Sequence, residues 1–90
     1  MRSPSYTGQF KKDVKRAKKR GKNMGKLRNV IALLLANDPL PPEFGSHPLK
    51  GEWKPSHDLH IEPDWLLIYS TDAKTVLFER TGTHADLFRK

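Results

Sequence analysis

The sequence predicts an α+β fold, in which two N-terminal helices pack on a small, twisted, mostly antiparallel sheet. Three observations predict it. Apolar residues recur at helical spacing as far as Ala36. Four prolines and a glycine then interrupt the chain between Pro39 and Pro48. Beyond them come short apolar runs separated by turn residues. With 90 residues and 36% hydrophobic side chains, residues 1–90 suffice for one domain with a modest core.

Ser3–Tyr6 is a weak strand candidate. Thr7 suits an N-cap, after which Phe10, Val14 and Ala17 fall on one helical face. Gly21 suits the stop of that helix. Asn23 then caps a second helix whose stripe of Leu27, Val30, Ile31, Leu34 and Leu35 reads as core. Asn37-Asp38-Pro39 ends it, because a residue before proline avoids helical geometry. The next segment is a loop that carries His47 to the sheet. A first strand is expected around Glu52–His60, placed at an edge or bulge by Pro55. Trp65–Tyr69, almost wholly apolar, is the expected central strand, and Thr75–Arg80 follows after a turn at Ser70–Lys74. Thr83 suits the cap of a last helical turn, His84–Phe88.

Charge is divided sharply along the chain. Residues 1–28 contain eleven Lys or Arg and one acid, Asp13, whereas residues 29–90 contain six Lys or Arg and nine acids. Such asymmetry points to a polyanion-binding face built from Lys11, Lys12, Lys15, Lys18, Lys19 and Arg20. A solvated basic helix with no partner is the plainer alternative. Its thin apolar stripe does not suit insertion at a membrane surface. No cysteine is present, which excludes disulfides and thiolate metal sites. The apolar run Val30–Ala36 is too short to span a bilayer, and the first residues lack the apolar core of a signal peptide. A cytoplasmic location is expected.

The four histidines carry the chemical signal. His47 precedes the expected first strand, His60 ends it, His84 follows the last, and Asp64 lies between the first and second. Imidazole exchanges protons near neutral pH, and basic side chains attract anions. Metal-free RNA cleavage needs such a set. A base takes the 2′-hydroxyl proton, an acid protonates the leaving 5′-oxygen, and cations such as Arg80 stabilise the phosphorane-like transition state. Intervals of 13, 4 and 20 residues along His47, His60, Asp64 and His84 match no zinc motif. No cofactor or metal is expected. His57 reads more simply as a surface residue, and Trp53 and Trp65 as packing. Phe88, near the chain end, is a candidate for stacking on a base.

Three segments together resemble one family. They are His47-Pro48-Leu49-Lys50-Gly51, His60-Ile61-Glu62-Pro63-Asp64-Trp65-Leu66-Leu67-Ile68-Tyr69 and Arg80-Thr81-Gly82-Thr83-His84-Ala85-Asp86-Leu87-Phe88. With Tyr6–Asp13 and Lys18–Lys22 in the opening helix, they are similar to the YafQ branch of the RelE toxin superfamily. That resemblance implies an endoribonuclease of a bacterial type II toxin–antitoxin system, cutting mRNA on translating ribosomes with a preference for adenine-rich lysine codons. By position it implies His47, His60, Asp64 and His84 as acid/base residues. Trp65, Arg80, Phe88, Lys50 and His57 become substrate-binding candidates. It also implies a cognate antitoxin partner, contact with ribosome and mRNA, and contact with DNA only through the antitoxin complex. One departure stands out. The family stretch before the second histidine carries a tyrosine and an arginine, where this chain has Ser56 and His57. Two alternatives therefore stay open: a non-catalytic basic RNA- or ribosome-binding module, and a weakened toxin acting mainly in repression.

Overall fold

Short polar side chains set the helix boundaries. In the computed structural model, which describes residues 1–49 and 55–88, Thr7 Oγ1 accepts the Phe10 N–H at 2.9 Å and starts α1 (Gly8–Lys19). Asn23 Oδ1 accepts the Gly25 N–H at 3.0 Å and starts α2 (Met24–Ala36). Gly21, at φ 78°, makes the left-handed step between the helices at no steric cost. Asn37 does the same after α2 at φ 57°, an asparagine being among the few residues that tolerate it.

The sheet has five strands in the order β1-β5-β4-β3-β2. They are β1 (Ser3–Tyr6), β2 (His47–Pro48), β3 (His57–Glu62), β4 (Trp65–Thr71) and β5 (Thr75–Gly82), and a short helix α3 (His84–Phe88) follows. β1 runs parallel to β5, and the other pairs are antiparallel. The weak N-terminal strand is therefore real. The strand expected at Glu52–His60 begins later, at His57, with Pro55 in the preceding turn, since proline donates no ladder hydrogen bond. Lys50 and Trp53 lie outside the described residues. A two-residue β2 pairing His47 with Asp58 has no sequence signature. Asp72 closes the β4–β5 turn by accepting the Lys74 and Thr75 N–H groups at 2.8 and 2.7 Å.

β4 lies in the middle of the sheet and is covered on both faces, which explains its unbroken apolar run. Trp65, Leu67 and Tyr69 join Phe10, Ala17, Leu27, Val30, Leu34, Leu59, Val76 and Phe78 beneath the helices. Leu66 and Ile68 face the other way, against Leu87, Leu49 and Phe88. The second face is more thinly covered, and it is there that polar side chains gather.

The one acid of the basic segment is buried. Asp13 is 1% exposed. Its carboxylate accepts Arg80 Nε at 2.7 Å and Arg80 Nη2 at 3.2 Å, the Thr81 N–H at 3.1 Å, Arg16 Nη2 at 3.1 Å and Gln9 Nε2 at 3.2 Å. β1 pairs with β5 only as far as Tyr6 and Phe78. Past that point Thr7 takes the Phe78 and Glu79 carbonyls, and Asp13 takes the Thr81 N–H. The start of α1 thus satisfies a sheet edge that would otherwise be bare. Replacing Asp13 by Ala orphans a guanidinium and a backbone donor, and we expect a loss on the order of 3 kcal/mol in urea unfolding. The double replacement Asp13→Leu/Arg80→Met leaves no unpaired charge and should recover most of that loss. Equal destabilisation by both variants would show that the ion pair is not the source.

Candidate active site

Alternation along β3 decides which histidines meet. Cross-strand partners share a face, and β3 pairs His57 with Tyr69, Asp58 with Ile68 and His60 with Leu66. Asp58 and His60 therefore lie on the thinly covered face, whereas His57 lies on the helix face. There its ring stacks on Tyr69, with centroids 5.8 Å apart, and its Nδ1 is buried without a hydrogen-bond partner among the described residues. His57, the candidate to stand in for an arginine, is therefore not brought together with His60 and His84. A one-residue step along a strand points a side chain through the opposite side of the sheet.

His84 comes to the same face as His60 by way of a tight turn. Thr83 and Asp86 cap α3 reciprocally, Thr83 N–H to Asp86 Oδ2 at 3.0 Å and Asp86 N–H to Thr83 Oγ1 at 3.1 Å. Arg20 grips the same carboxylate at 2.7 and 3.3 Å. This ion pair, chiefly, holds the Asp86 carboxyl well below the usual carboxylate range. Arg20, expected among the ribosome-facing cations, is thus committed to tying α1 to α3. Gly82 makes this approach sterically feasible, because a Cβ there would meet Asp86 Cβ at 3.0 Å. Lys11, Lys12, Lys15, Lys18 and Lys19 are exposed along α1.

So held, His84 donates its backbone N–H to Asp64 Oδ1 at 2.9 Å and sets its ring Nδ1 2.6 Å from the same oxygen. These two bonds, the backbone one first, lower the Asp64 carboxyl from its ordinary value. A carboxylate only accepts, so the bound tautomer carries its proton on Nδ1 and presents Nε2 to solvent. The His60 and His84 ring centroids are 5.7 Å apart. At the other end of the face, His47 Nδ1 lies 2.5 Å from Asp58 Oδ1. The distance suits an ion pair with imidazolium, although the contact lacks hydrogen-bond alignment and Oδ1 has no directed donor among the described residues. Two His–Asp pairs thus flank His60. Asp58 was not singled out in the sequence, although a carboxylate two residues before His60 on a strand must share its face.

A β-bulge re-aims Arg80. Tyr69 pairs with Phe78 but Ile68 pairs with Arg80, so Glu79 is the extra residue and Arg80 registers on the histidine face instead of beneath the helices. Two of its donors are held by Asp13, so in this conformation its guanidinium is paired with α1 and does not offer a free fork. Glu79 receives the Ser56 hydroxyl at 2.7 and 2.8 Å. Phe88 packs half-buried beside Leu66 and Ile68. Trp65 departs from the expected substrate contact. Its side chain is in the helix-side core at 1% exposure, out of reach of a stacking base. Instead its Nε1–H donates to Thr81 Oγ1 at 3.0 Å, and Thr81 Oγ1 donates to the Leu66 carbonyl at 2.7 Å, fixing the strand that precedes His84. Among the described residues no three His, Asp or Glu side chains gather as metal ligands. No helix described is long and apolar enough to cross a membrane.

With this geometry established, comparison with known proteins is specific. A family model for YafQ, the bacterial toxin of a type II toxin–antitoxin system, matches residues 2–89. The mRNA interferase toxin YafQ of Escherichia coli K12 is 53% identical over 89 residues, covering 98% of this chain and 97% of that one. The crystal structure of the E. coli DinJ–YafQ toxin–antitoxin complex superposes with a TM-score of 0.90 at 53% identity, covering 97% of each chain. A metal-bound toxin from Helicobacter pylori superposes with a TM-score of 0.91 at 34% identity, covering 98% of this chain and 100% of that one.

The Asp64–His84 pair has a pH signature. A carboxylate whose folded-state value is depressed adds stability above the ordinary carboxyl range, and that contribution is lost as pH falls through the depressed value. Carbon-detected NMR titration should therefore find the Asp64 carboxyl below its ordinary value. In His84→Ala it should move upward only partway, because the backbone N–H donor remains. An unchanged midpoint in His84→Ala would exclude the ring contact.

Proposed function

The chain belongs to the YafQ family of toxins from bacterial type II toxin–antitoxin systems, and we propose that it is an mRNA interferase whose histidine face cuts ribosome-bound mRNA. The observation that carries this reading is the His60–His84 pair, 5.7 Å between ring centroids, with the His84 tautomer set by Asp64. Such a pair spans one phosphodiester, leaving one imidazole for each proton that moves.

In the proposed reaction a histidine base, His60 or His47, removes the 2′-hydroxyl proton. The 2′-oxygen forms a bond to the adjacent phosphorus as the bond to the 5′-oxygen breaks, and the imidazolium form of His84, with Nδ1–H on Asp64, gives its Nε2 proton to that leaving oxygen. The products are a 2′,3′-cyclic phosphate and a 5′-hydroxyl. Asp64 keeps the His84 ring oriented, as the carboxylate does in other acid/base histidine sites, and Asp58 sets a negative charge beside His47. Arg80 supplies positive charge near the phosphate, and Phe88 an aromatic edge for a base. The reaction balances without a metal ion. Lys11, Lys12, Lys15, Lys18 and Lys19 are proposed to hold ribosomal RNA through its phosphates. A cognate antitoxin neutralises the chain in the cytoplasm, and DNA is contacted only through that complex.

A non-catalytic ribosome-binding module would keep the same lysines and fold but would not need His84. Replacing His84 by Gln keeps a hydrogen-bonding side chain but removes the proton supply, so cleavage should fall roughly 10²–10⁴-fold while ribosome affinity stays unchanged. On a substrate with a 5′-thio leaving group, which needs no protonation, the same variant should regain most of its rate. Equal impairment on both substrates would pass the acid role to His47 or His60, and ribosome binding without any cleavage by the wild-type chain would leave the binding-module reading standing.

A further inference from the structure

Phosphate cleavage gathers negative charge on the non-bridging oxygens, and Arg80 meets it with a guanidinium already paired to Asp13. Two other arginines at this end of the sheet are equally committed. Arg16 is shared between Asp13 and Asp86, at 3.1 and 3.7 Å, and Arg20 holds Asp86 at 2.7 Å. Lys22 is placed differently. It follows the left-handed step at Gly21, and its backbone N–H donates to the Ala17 carbonyl at 3.1 Å, closing the end of α1. The main chain is thereby fixed, while the four-carbon side chain keeps its freedom to swing. Its Nζ lies over the Trp65 ring, 5.8 Å from the centroid. Lys22 also shares a small cleft with Gly82 and Thr83, the two residues before His84.

Lys22 is the spare member of an ion-paired group. Glu62 takes Lys26 Nζ at 2.9 Å and Lys22 Nζ at 3.3 Å, so two ammonium groups serve one carboxylate. Lys26 is the stronger partner, and its hydrogen bond is the chief cause that lowers the Glu62 carboxyl from its ordinary value. If Lys22 leaves, Glu62 stays matched by Lys26, charge for charge. The contact given up is weak, as ion pairs near water are. The charge of Lys22 is felt at Asp64 too, where it adds to the larger effect of the bonds from His84. One side chain thus stands between Glu62 and the end of the sheet where Asp64 meets His84.

We propose that Lys22 is a further catalytic residue of this site: on substrate binding its ammonium leaves Glu62 for a non-bridging oxygen of the phosphate held between His60 and His84, and stabilises the charge that builds there as the 2′-oxygen attacks. The proposal rests on the cleavage reading above. A lysine suits the task because it is a compact charge on a flexible stem, and Trp65, 1% exposed, gives its head a rigid surface to rest on. The phosphate attracts the ammonium more strongly than a carboxylate that already has a second lysine. A purely structural Lys22 would instead fasten the α1–α2 connection to β3 through Glu62. Lys26 shares that task, so the two lysines would then matter alike and through stability.

The test measures single-turnover cutting of a defined mRNA on ribosomes, with the full chain in excess. Lys22→Met keeps an unbranched stem over Trp65 but removes the charge. It should slow cutting about 100-fold, with ribosome affinity and thermal unfolding near wild type. Lys26→Met removes the stronger Glu62 partner and should cut at close to the wild-type rate. Lys22→Arg keeps a cation and should regain most of the loss. Sulfur in place of one non-bridging oxygen at the scissile phosphate should slow the wild-type chain for one diastereomer, and Lys22→Met should lose that distinction. Lys22→Gln is read in the same way if Lys22→Met fails to fold by circular dichroism. Three results overturn the assignment: wild-type cutting by the folded neutral variant, equal impairment in Lys22→Met and Lys26→Met, or a diastereomer preference unchanged by loss of the charge. No cutting by the wild-type chain overturns the cleavage reading and the assignment together, an outcome distinct from the other three.

Discussion

A single buried carboxylate joins the helical and sheet halves of this molecule. Asp13 sits in a segment whose other charges are all positive, yet it is 1% exposed and faces Arg80 and the Thr81 N–H on a strand 67 positions away. A carboxylate removed from water costs several kcal/mol unless its lone pairs are filled, and here every donor in reach converges on it. The result is a fixed register between α1 and the end of β5. That register sets where Arg80 lies, where Thr81 anchors Trp65, and where the chain turns into Thr83-His84. The site inherits its geometry from this edge.

From there the strand period does the sorting. β3 sends Asp58 and His60 to one face and His57 to the other, and the bulge at Glu79 gives Arg80 the register of the first pair's face. The helix side then holds the large core and the cations, and the opposite side holds the acid/base groups. Two tasks that favour different surroundings are thereby separated. In the proposed mechanism, proton transfer uses the sheet face on which Asp64 fixes the His84 ring, and electrostatic capture uses long flexible side chains exposed along a helix.

The elements were legible because their signals are local. Caps at Thr7, Asn23 and Thr83, the stripe from Leu27 to Leu35 and the apolar run at Trp65 each depend on neighbours within a few residues. His60, Asp64 and His84 were legible as a set because they bracket adjacent strands. What was not legible is facing. Nothing near His57 or Trp65 in sequence says which side of the sheet each will take, and only the bulge at Glu79 sets the face of Arg80. Asp13 was invisible for a related reason. A lone acid among lysines reads as solvated until a distant arginine is brought against it. Arg20 was legible as a cation but not as the partner of Asp86, since a charge run does not reveal which members are paired.

The chemistry of the severed ends tests acid/base cleavage by the histidine face most directly. Ribosomes stalled on a defined mRNA would be treated with the purified chain and the fragments resolved by mass spectrometry. Attack by the 2′-hydroxyl leaves a 5′-hydroxyl on one fragment and a 2′,3′-cyclic phosphate, or the 3′-phosphate formed by its hydrolysis, on the other. Fragments ending in a 3′-hydroxyl and a 5′-phosphate would mean that water attacks the phosphate directly, which contradicts the mechanism built on His60, His84 and Asp64.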